Sequence, residues 1–195
     1  RVRPLKAQLD AAKEAFDRGD LRAAEAACRE AVRTSGGDPR ALCGLGVVLL
    51  RQRRYREASA ELRRALAIAP NDPENHYALG CTLAEMEKSE EAMGCFLEVL
   101  RLKPGHVLAR VELGNALAAC GRYGEAESHL RRAIELESKC AEAHYGLGNL
   151  LITERRYPEA EAACRRAVEL RPAYAAAWNS LGRALARQRR YPAAE

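Results

Sequence analysis

The sequence predicts an all-α fold, a solenoid of antiparallel helix pairs, on three observations. One pattern returns every 34 residues along the chain. Each copy holds two apolar stripes with helical spacing, separated by a short turn. Hydrophobic residues make up 48% of the chain but aromatic residues only 5%, so the core must be built from Ala, Leu and Val. Ala and Leu are the strongest helix formers, and that composition suits closely packed helices.

The period is fixed by five columns. Gly46, Gly80, Gly114, Gly148 and Gly182 are spaced 34 apart, each preceded by Leu and each followed three residues later by Leu. Ala58, Ala92, Ala126, Ala160 and Ala194 form a second small-residue column. Tyr55, Tyr123, Tyr157 and Tyr191 recur, with Ser89 as the exception, and Pro70, Pro104 and Pro172 close the unit, with Ser138 as the exception. Placing the glycine at position 8 gives units 39–72, 73–106, 107–140 and 141–174, a truncated unit 175–195, and a divergent first unit 5–38 with Ala12 for the glycine. The expected organisation is one array over 1–195.

Within each unit the elements follow in order. Positions 4, 7, 8 and 11 form an i, i+3, i+4, i+7 stripe, as in Leu42, Leu45, Gly46 and Leu49, and predict the first helix. Positions 14–17 predict a turn. Gly19 and Gly121 at position 15 suggest a left-handed residue there, a conformation costing about 1 kcal/mol for Arg53, Glu87, Arg155 or Arg189 in the same column. Positions 20, 24, 27 and 28, as in Ala58, Leu62, Ala65 and Leu66, predict the second helix, and Pro at position 32 stops it. The side-chain-poor residues at positions 8 and 20 predict a close approach of the two helices. One pair cannot bury its own apolar faces, so successive pairs must stack.

Composition narrows the function classes. Lys plus Arg number 32 against 27 Asp plus Glu, a mild surplus that is interleaved rather than clustered. That interleaving, with few aromatic stacking platforms, argues against a nucleic-acid partner. The seven cysteines are odd in number and contain no CxxC, which favours reduced thiols and a cytoplasmic location over a disulfide framework. No apolar run approaches the roughly 18 residues of a membrane span, and no signal peptide is visible. The chain opens on Arg1 and stops inside the second helical pattern of its last unit, which reads as a fragment.

The stretch "ALCGLGVVLLRQRRYREASAELRRALAIAP" (41–70) and its copies resemble the tetratricopeptide repeat over essentially the whole chain. The resemblance implies a right-handed α-solenoid acting as a protein-interaction scaffold. It also implies that positions 2, 5, 9, 12 and 13 of the first helices line a concave groove for a partner segment. Carried onto this sequence, the groove candidates are Arg51, Tyr77, Cys81, Asn115, Tyr145, Asn149, Asn179, Arg183 and Arg187. Asn can donate to and accept from an extended backbone, and Tyr gives rigid contact area with a polar tip. The family's chaperone-tail clamp needs Lys at position 5, which here is Leu9, Cys43, Tyr77, Val111, Tyr145 or Asn179. The asparagine ladder of the O-linked N-acetylglucosamine transferases at position 6 is also missing.

The pentapeptide RQRRY occurs twice, at 51–55 and 187–191. The register makes most of it a helix-ending joint, its position-16 cation complementing the first helix's C-terminal dipole, and leaves Arg51 and Arg187 at the groove edge. His76 and His144 at position 4 read as packing residues, and Cys28 and Cys164 at position 24 as small buried hydrophobes. Cys140 and His144 are spaced i, i+4 but lack further ligands, so no metal is expected. No phosphate loop, HExxH or GxSxG occurs, so no catalytic residues and no cofactor are expected. The function read from the sequence is a scaffold holding a protein or peptide partner. The alternative is the substrate-presenting region of a larger enzyme such as a glycosyltransferase. The last unit's apolar side (Trp178, Leu181, Leu185) is a candidate for self-association.

Overall fold

The structure is a computed structural model describing residues 4–190, with the side chains of Arg189 and Arg190 excepted. Among the described residues the chain is all-helical. It divides into two compact units, one up to Lys103 and one from Pro104 onward. The first unit contains α1 (Leu5–Asp17), α2 (Leu21–Ser35), α3 (Pro39–Arg51), α4 (Tyr55–Ile68), α5 (Pro73–Glu85) and α6 (Ser89–Leu102). The second contains α7 (Val107–Ala119), α8 (Tyr123–Leu136), α9 (Ala141–Thr153), α10 (Tyr157–Leu170) and α11 (Ala175–Arg190). In each unit every helix packs on the next, and the odd-numbered helices also pack side by side: α1 on α3 on α5, and α7 on α9 on α11.

Three of the first helices, α3, α5 and α7, start where a side-chain acceptor caps them. Asp38 Oδ1 accepts from Arg40 N at 2.9 Å, and Asp72 Oδ1 accepts from Glu74 N at 2.9 Å, each followed by Pro at the first helical position. His106 caps α7 through Nδ1, which accepts from Ala109 N at 3.1 Å.

The turn after each of α1, α3, α5, α7 and α9 is the left-handed one expected. Arg53, Glu87 and Arg155 have φ of 62°, 59° and 63°, beside 80° and 76° for Gly19 and Gly121. Arg53 N donates to Leu50 O and Arg54 N to Leu49 O, both at 2.9 Å, the paired bonds of a Schellman cap; Glu87 and Lys88, and Arg155 and Arg156, repeat them.

The cation at position 16 behaves differently from expectation. Arg54 and Arg156 sit at the N-cap of the second helix, where a positive charge opposes the local dipole. Each is compensated by acidic side chains rather than by the first helix's carbonyls. Arg54 bonds Glu57 at 2.6 Å in its own helix and Glu25 at 2.7 Å on α2; Arg156 bonds Glu159 and Glu127 at 2.7 Å each. Gln52 adds bonds to Leu21 O at 3.2 Å and to Glu25 at 2.9 Å. The joint RQRRY at 51–55 is thus a clamp between neighbouring helix pairs.

The core also refines the expected close approach. A Cβ built on Gly46 would lie 2.5 Å from Leu62 Cγ, on Gly80 2.6 Å from Phe96 Cε1, and on Gly114 2.8 Å from Leu130 Cγ. Gly148 faces Cys164 Sγ in the same way. The glycine makes room for the side chain at position 24, and at Gly114 and Gly148 it also approaches the backbone oxygen of the position-20 alanine, with a built Cβ 3.3 Å from Ala126 O and 3.6 Å from Ala160 O. Cys28 and Cys164 at position 24 are buried, as expected.

The last helix departs from the register. The copy of RQRRY at 187–191 does not end it: α11 runs on through Arg190. Arg and Gln are good helix formers, and no second helix is packed there among the described residues to hold a turn. Tyr191 and Ala194, the columns expected of that second helix, lie outside the described residues. Among the described residues nothing lies within 4 Å of a Cβ built on Gly182. Trp178 and Leu185 on the same side are 51% and 38% exposed, but Leu181, grouped with them from the sequence, is buried.

Candidate functional site

The groove candidates all fall on odd-numbered helices. In the first unit, Arg51 ends α3, and Tyr77 and Cys81 lie on α5. Arg51 is exposed and holds its guanidinium 5.5 Å from the centroid of the Phe16 ring on α1, a cation–π contact that fixes an otherwise loose side chain. Tyr77 and Cys81 are half-buried; the Tyr77 ring tilts against Phe96 with centroids 6.1 Å apart. Cys43 lies on the neighbouring α3. Burial, with the charges of Asp72 and Glu74 beside it, pushes its thiol up to about 12, so it stays protonated and unreactive at neutral pH.

In the second unit, Asn115 lies on α7, Tyr145 and Asn149 on α9, and Asn179, Arg183 and Arg187 on α11. Asn149 Oδ1 accepts from Ser180 Oγ at 2.7 Å, a bond from α9 to α11 that orients the amide. Asn115 Oδ1 lies against the backbone of Gly146, 2.9 Å from where a Cβ would stand. Its Nδ2 is 3.5 Å from Glu112 Oε2, a long contact. Tyr145 packs on Tyr174 with centroids 4.9 Å apart; Arg171 stacks on the other ring at 5.0 Å and bonds Glu142 at 2.6 Å. Burial, then the neighbouring Tyr145 and Glu142, push the Tyr174 hydroxyl up to about 12, so it is a neutral donor. Asn179, Arg183 and Arg187 are exposed.

The sequence reading missed the residues that brace these candidates. Phe16, Ser180 and Tyr174 lie off the repeating stripes, at positions 12, 6 and 34, and no column marks them. A second missed feature is a donor at position 4. His76 and His144, read as packing residues, are half-buried and also donate from Nε2 to Pro70 O at 2.8 Å and Ser138 O at 3.0 Å. Arg110 and Trp178 donate to Pro104 O and Pro172 O, each at 2.8 Å.

Cys140 Sγ contacts Glu142 Oε2 at 3.7 Å, while His144 is spent on Ser138. Among the described residues no group of three His, Cys, Asp or Glu is placed to share a metal ion, and no helix is long and apolar enough to cross a membrane.

Residues 15–80 match one tetratricopeptide repeat model, and residues 77–136, 121–175 and 165–195 match another. The chain is a tetratricopeptide repeat protein. No curated protein matches it. Several solved tetratricopeptide structures are similar to it. TTC0263, a thermophilic TPR protein of Thermus thermophilus, gives a TM-score of 0.81 at 21% identity over 94% of this chain and 100% of that one. YrrB, described as a TPR protein with an unusual peptide-binding site, gives 0.67 at 22% identity over 89% of each chain. A chain of the APC/C hetero-tetramer Cut9-Hcn1 gives 0.84 at 20% identity over 93% of this chain and 36% of that one. At these identities the likeness is one of fold.

Proposed function

We propose that this tetratricopeptide protein is an interaction scaffold whose odd-numbered helices hold a partner segment. The observation that carries the reading is the bracing of polar and aromatic side chains on those helices. Asn149 is oriented by Ser180, Tyr145 by Tyr174, and Arg51 by Phe16. Pre-ordering these groups lowers the entropy lost on binding, so a few anchors can hold an extended chain. The site residues of the reading are Arg51, Tyr77, Cys81, Asn115, Tyr145, Asn149, Asn179, Arg183 and Arg187. The peptide-binding site ascribed to YrrB is consistent with it. The reading takes 1–195 as one array with the unit boundaries of the 34-residue register, assigns the chain no reaction, and places it, with its free thiols, in the cytoplasm.

The test is capture of partners by the intact chain, repeated with Asn115, Asn149 and Arg187 all changed to Ala. Loss of a specific partner with an unchanged melting curve supports the reading. Retention of every partner by the triple variant overturns it.

A further inference from the structure

The link from the α1–α2 pair into α3 is built of glycine. α2 ends on Ser35 and α3 begins at Pro39, with Gly36 and Gly37 between them at φ of 67° and 92°. Two successive glycines leave the backbone wide freedom, whereas the column of Gly36 holds Pro70, Pro104 and Pro172 in later units, where φ is fixed. The bonds that close the link, from Gly37 N to Val32 O at 2.9 Å and from Asp38 N to Ser35 Oγ at 3.0 Å, do not reach past Asp38. Later first helices are tied back to their link by the position-4 side chain, as His76 is to Pro70 O and Trp178 to Pro172 O. Position 4 of α3 is Leu42, which has no side-chain donor.

The pair itself is coherent. Thr34 Oγ1 of α2 donates to the buried Gln8 Oε1 of α1 at 2.9 Å. Its packing on α3 is leaner. Ala12, Ala15, Ala24 and Cys28 share a core cluster with Leu45 and Val48, and such short side chains bury little apolar area. Position 24 is Cys28 here but Leu62 and Phe96 in the next two units, and with Gly44 facing it a cleft of about 210 Å³ is left between α1 and α3. The polar bonds that join the pair to the α3–α4 joint lie at the far end from the glycines. Gln52 donates to Leu21 O at 3.2 Å and to Glu25 at 2.9 Å, and Arg54 pairs with Glu25 at 2.7 Å. The junction thus has a glycine hinge at one end and a polar latch at the other.

We infer that the α1–α2 pair is a hinged cap, which swings as a folded body about Gly36 and Gly37 and uncovers Leu45 and Val48 of α3. The closed and open forms differ by the latch and the alanine-lined contact and not by the bonds within the helices, so opening costs less than unfolding the pair. Cys28 reports the swing. It is 2% exposed, and a Cβ built on Gly44 would lie 3.4 Å from its Sγ, so α3 covers it. Cys164 occupies the same position in a unit whose link holds Pro172 and the Trp178 tie, and it is buried likewise. Burial raises both thiols to about 11, which matches their reactivity once exposed.

The test measures protection factors in the intact chain at neutral pH without denaturant. Iodoacetamide labelling, resolved by mass spectrometry, gives them for the thiols, and hydrogen exchange gives them for the amides of α2, each against the rate in an unfolded peptide. Cys28 should be protected at least ten-fold less than Cys164. The best-protected amides of α2 should be protected at least ten-fold more than Cys28, because the helix stays formed while the cap is open. Gln52→Ala removes part of the latch and should speed Cys28 labelling at least three-fold while leaving Cys164 unchanged. Equal protection of Cys28 and Cys164 overturns the inference. So does equal protection of Cys28 and the α2 amides, which means that the pair melts rather than swings. A Gln52→Ala variant that leaves Cys28 labelling unchanged, or speeds both thiols alike, overturns it too.

Discussion

His76 Nε2 donates to the carbonyl oxygen of Pro70, six residues earlier, at 2.8 Å. The bond ties the start of α5 to the proline that ends the preceding unit, and His144, Arg110 and Trp178 make its counterpart with different chemistry. One hydrogen bond of this kind contributes about 0.5–1.5 kcal/mol. His76→Leu, which keeps an apolar body and loses the donor, is predicted to lower unfolding stability by about that amount in urea titration. An unchanged midpoint contradicts the role.

The left-handed turn gives a prediction of opposite sign. Arg53 holds φ at 62° where Gly19 and Gly121 occupy the same place. Arg53→Gly is predicted to raise stability by roughly 0.5–1 kcal/mol, the relief of a left-handed non-glycine residue less the added entropy of glycine in the unfolded chain. Thermal unfolding followed at 222 nm checks it; a lower melting temperature counts against the geometry.

Two glycines of one column should respond oppositely to alanine. At Gly46 the new methyl would meet Leu62 Cγ at 2.5 Å, and Gly46→Ala is predicted to destabilise by about 1–3 kcal/mol through overpacking. At Gly182 nothing among the described residues lies within 4 Å, and Gly182→Ala is predicted to stabilise by up to about 1 kcal/mol through helix propensity. Equal effects at both sites contradict the packing described.

Asn75 is only 1% exposed, and its Nδ2 has no partner among the described residues. The same column holds Ala41, Ala109, Ala143 and Ala177, all buried. Asn75→Ala removes an unsatisfied donor and is predicted to stabilise by about 1 kcal/mol. A destabilised variant in chemical denaturation would mean that the amide is bonded.

Acid should weaken the joint at 51–55. The hydrogen bond from Gln52, with those from Arg29 and Arg54, holds Glu25 down from its ordinary 4.5 to about 2, against the opposing effect of burial. A depressed carboxylate stabilises the fold fully above its unfolded value, and that contribution is lost as pH falls from about 4.5 to about 2. The stability difference between wild type and Glu25→Gln should therefore shrink across that window. A difference that stays constant from pH 6 to pH 2 contradicts the assignment.

What was legible in the sequence follows from what repeats. The glycine and alanine columns gave the helix pairs, and Gly19 with Gly121 gave the turn conformation that Arg53, Glu87 and Arg155 adopt despite their side chains. The donor at position 4 was hidden because His, Arg and Trp share an N–H and nothing else a column would reveal. The braces Phe16, Ser180 and Tyr174 occur once each, where periodicity carries no information. The cleft over Cys28 is likewise a departure from the repeat, visible only once α1 and α3 are placed side by side. The second RQRRY departs from the first: α11 continues through Arg190, whereas α3 ends at Arg51.

The central claim is that the odd-numbered helices carry the partner. Site-specific photo-crosslinking tests it most directly. p-Benzoylphenylalanine replaces Tyr77 or Tyr145 on that face, or Arg132, exposed on α8, as the comparison. The account predicts one covalent partner adduct, formed through Tyr77→p-benzoylphenylalanine or Tyr145→p-benzoylphenylalanine and not through the Arg132 replacement. An adduct formed only through the α8 position would contradict it.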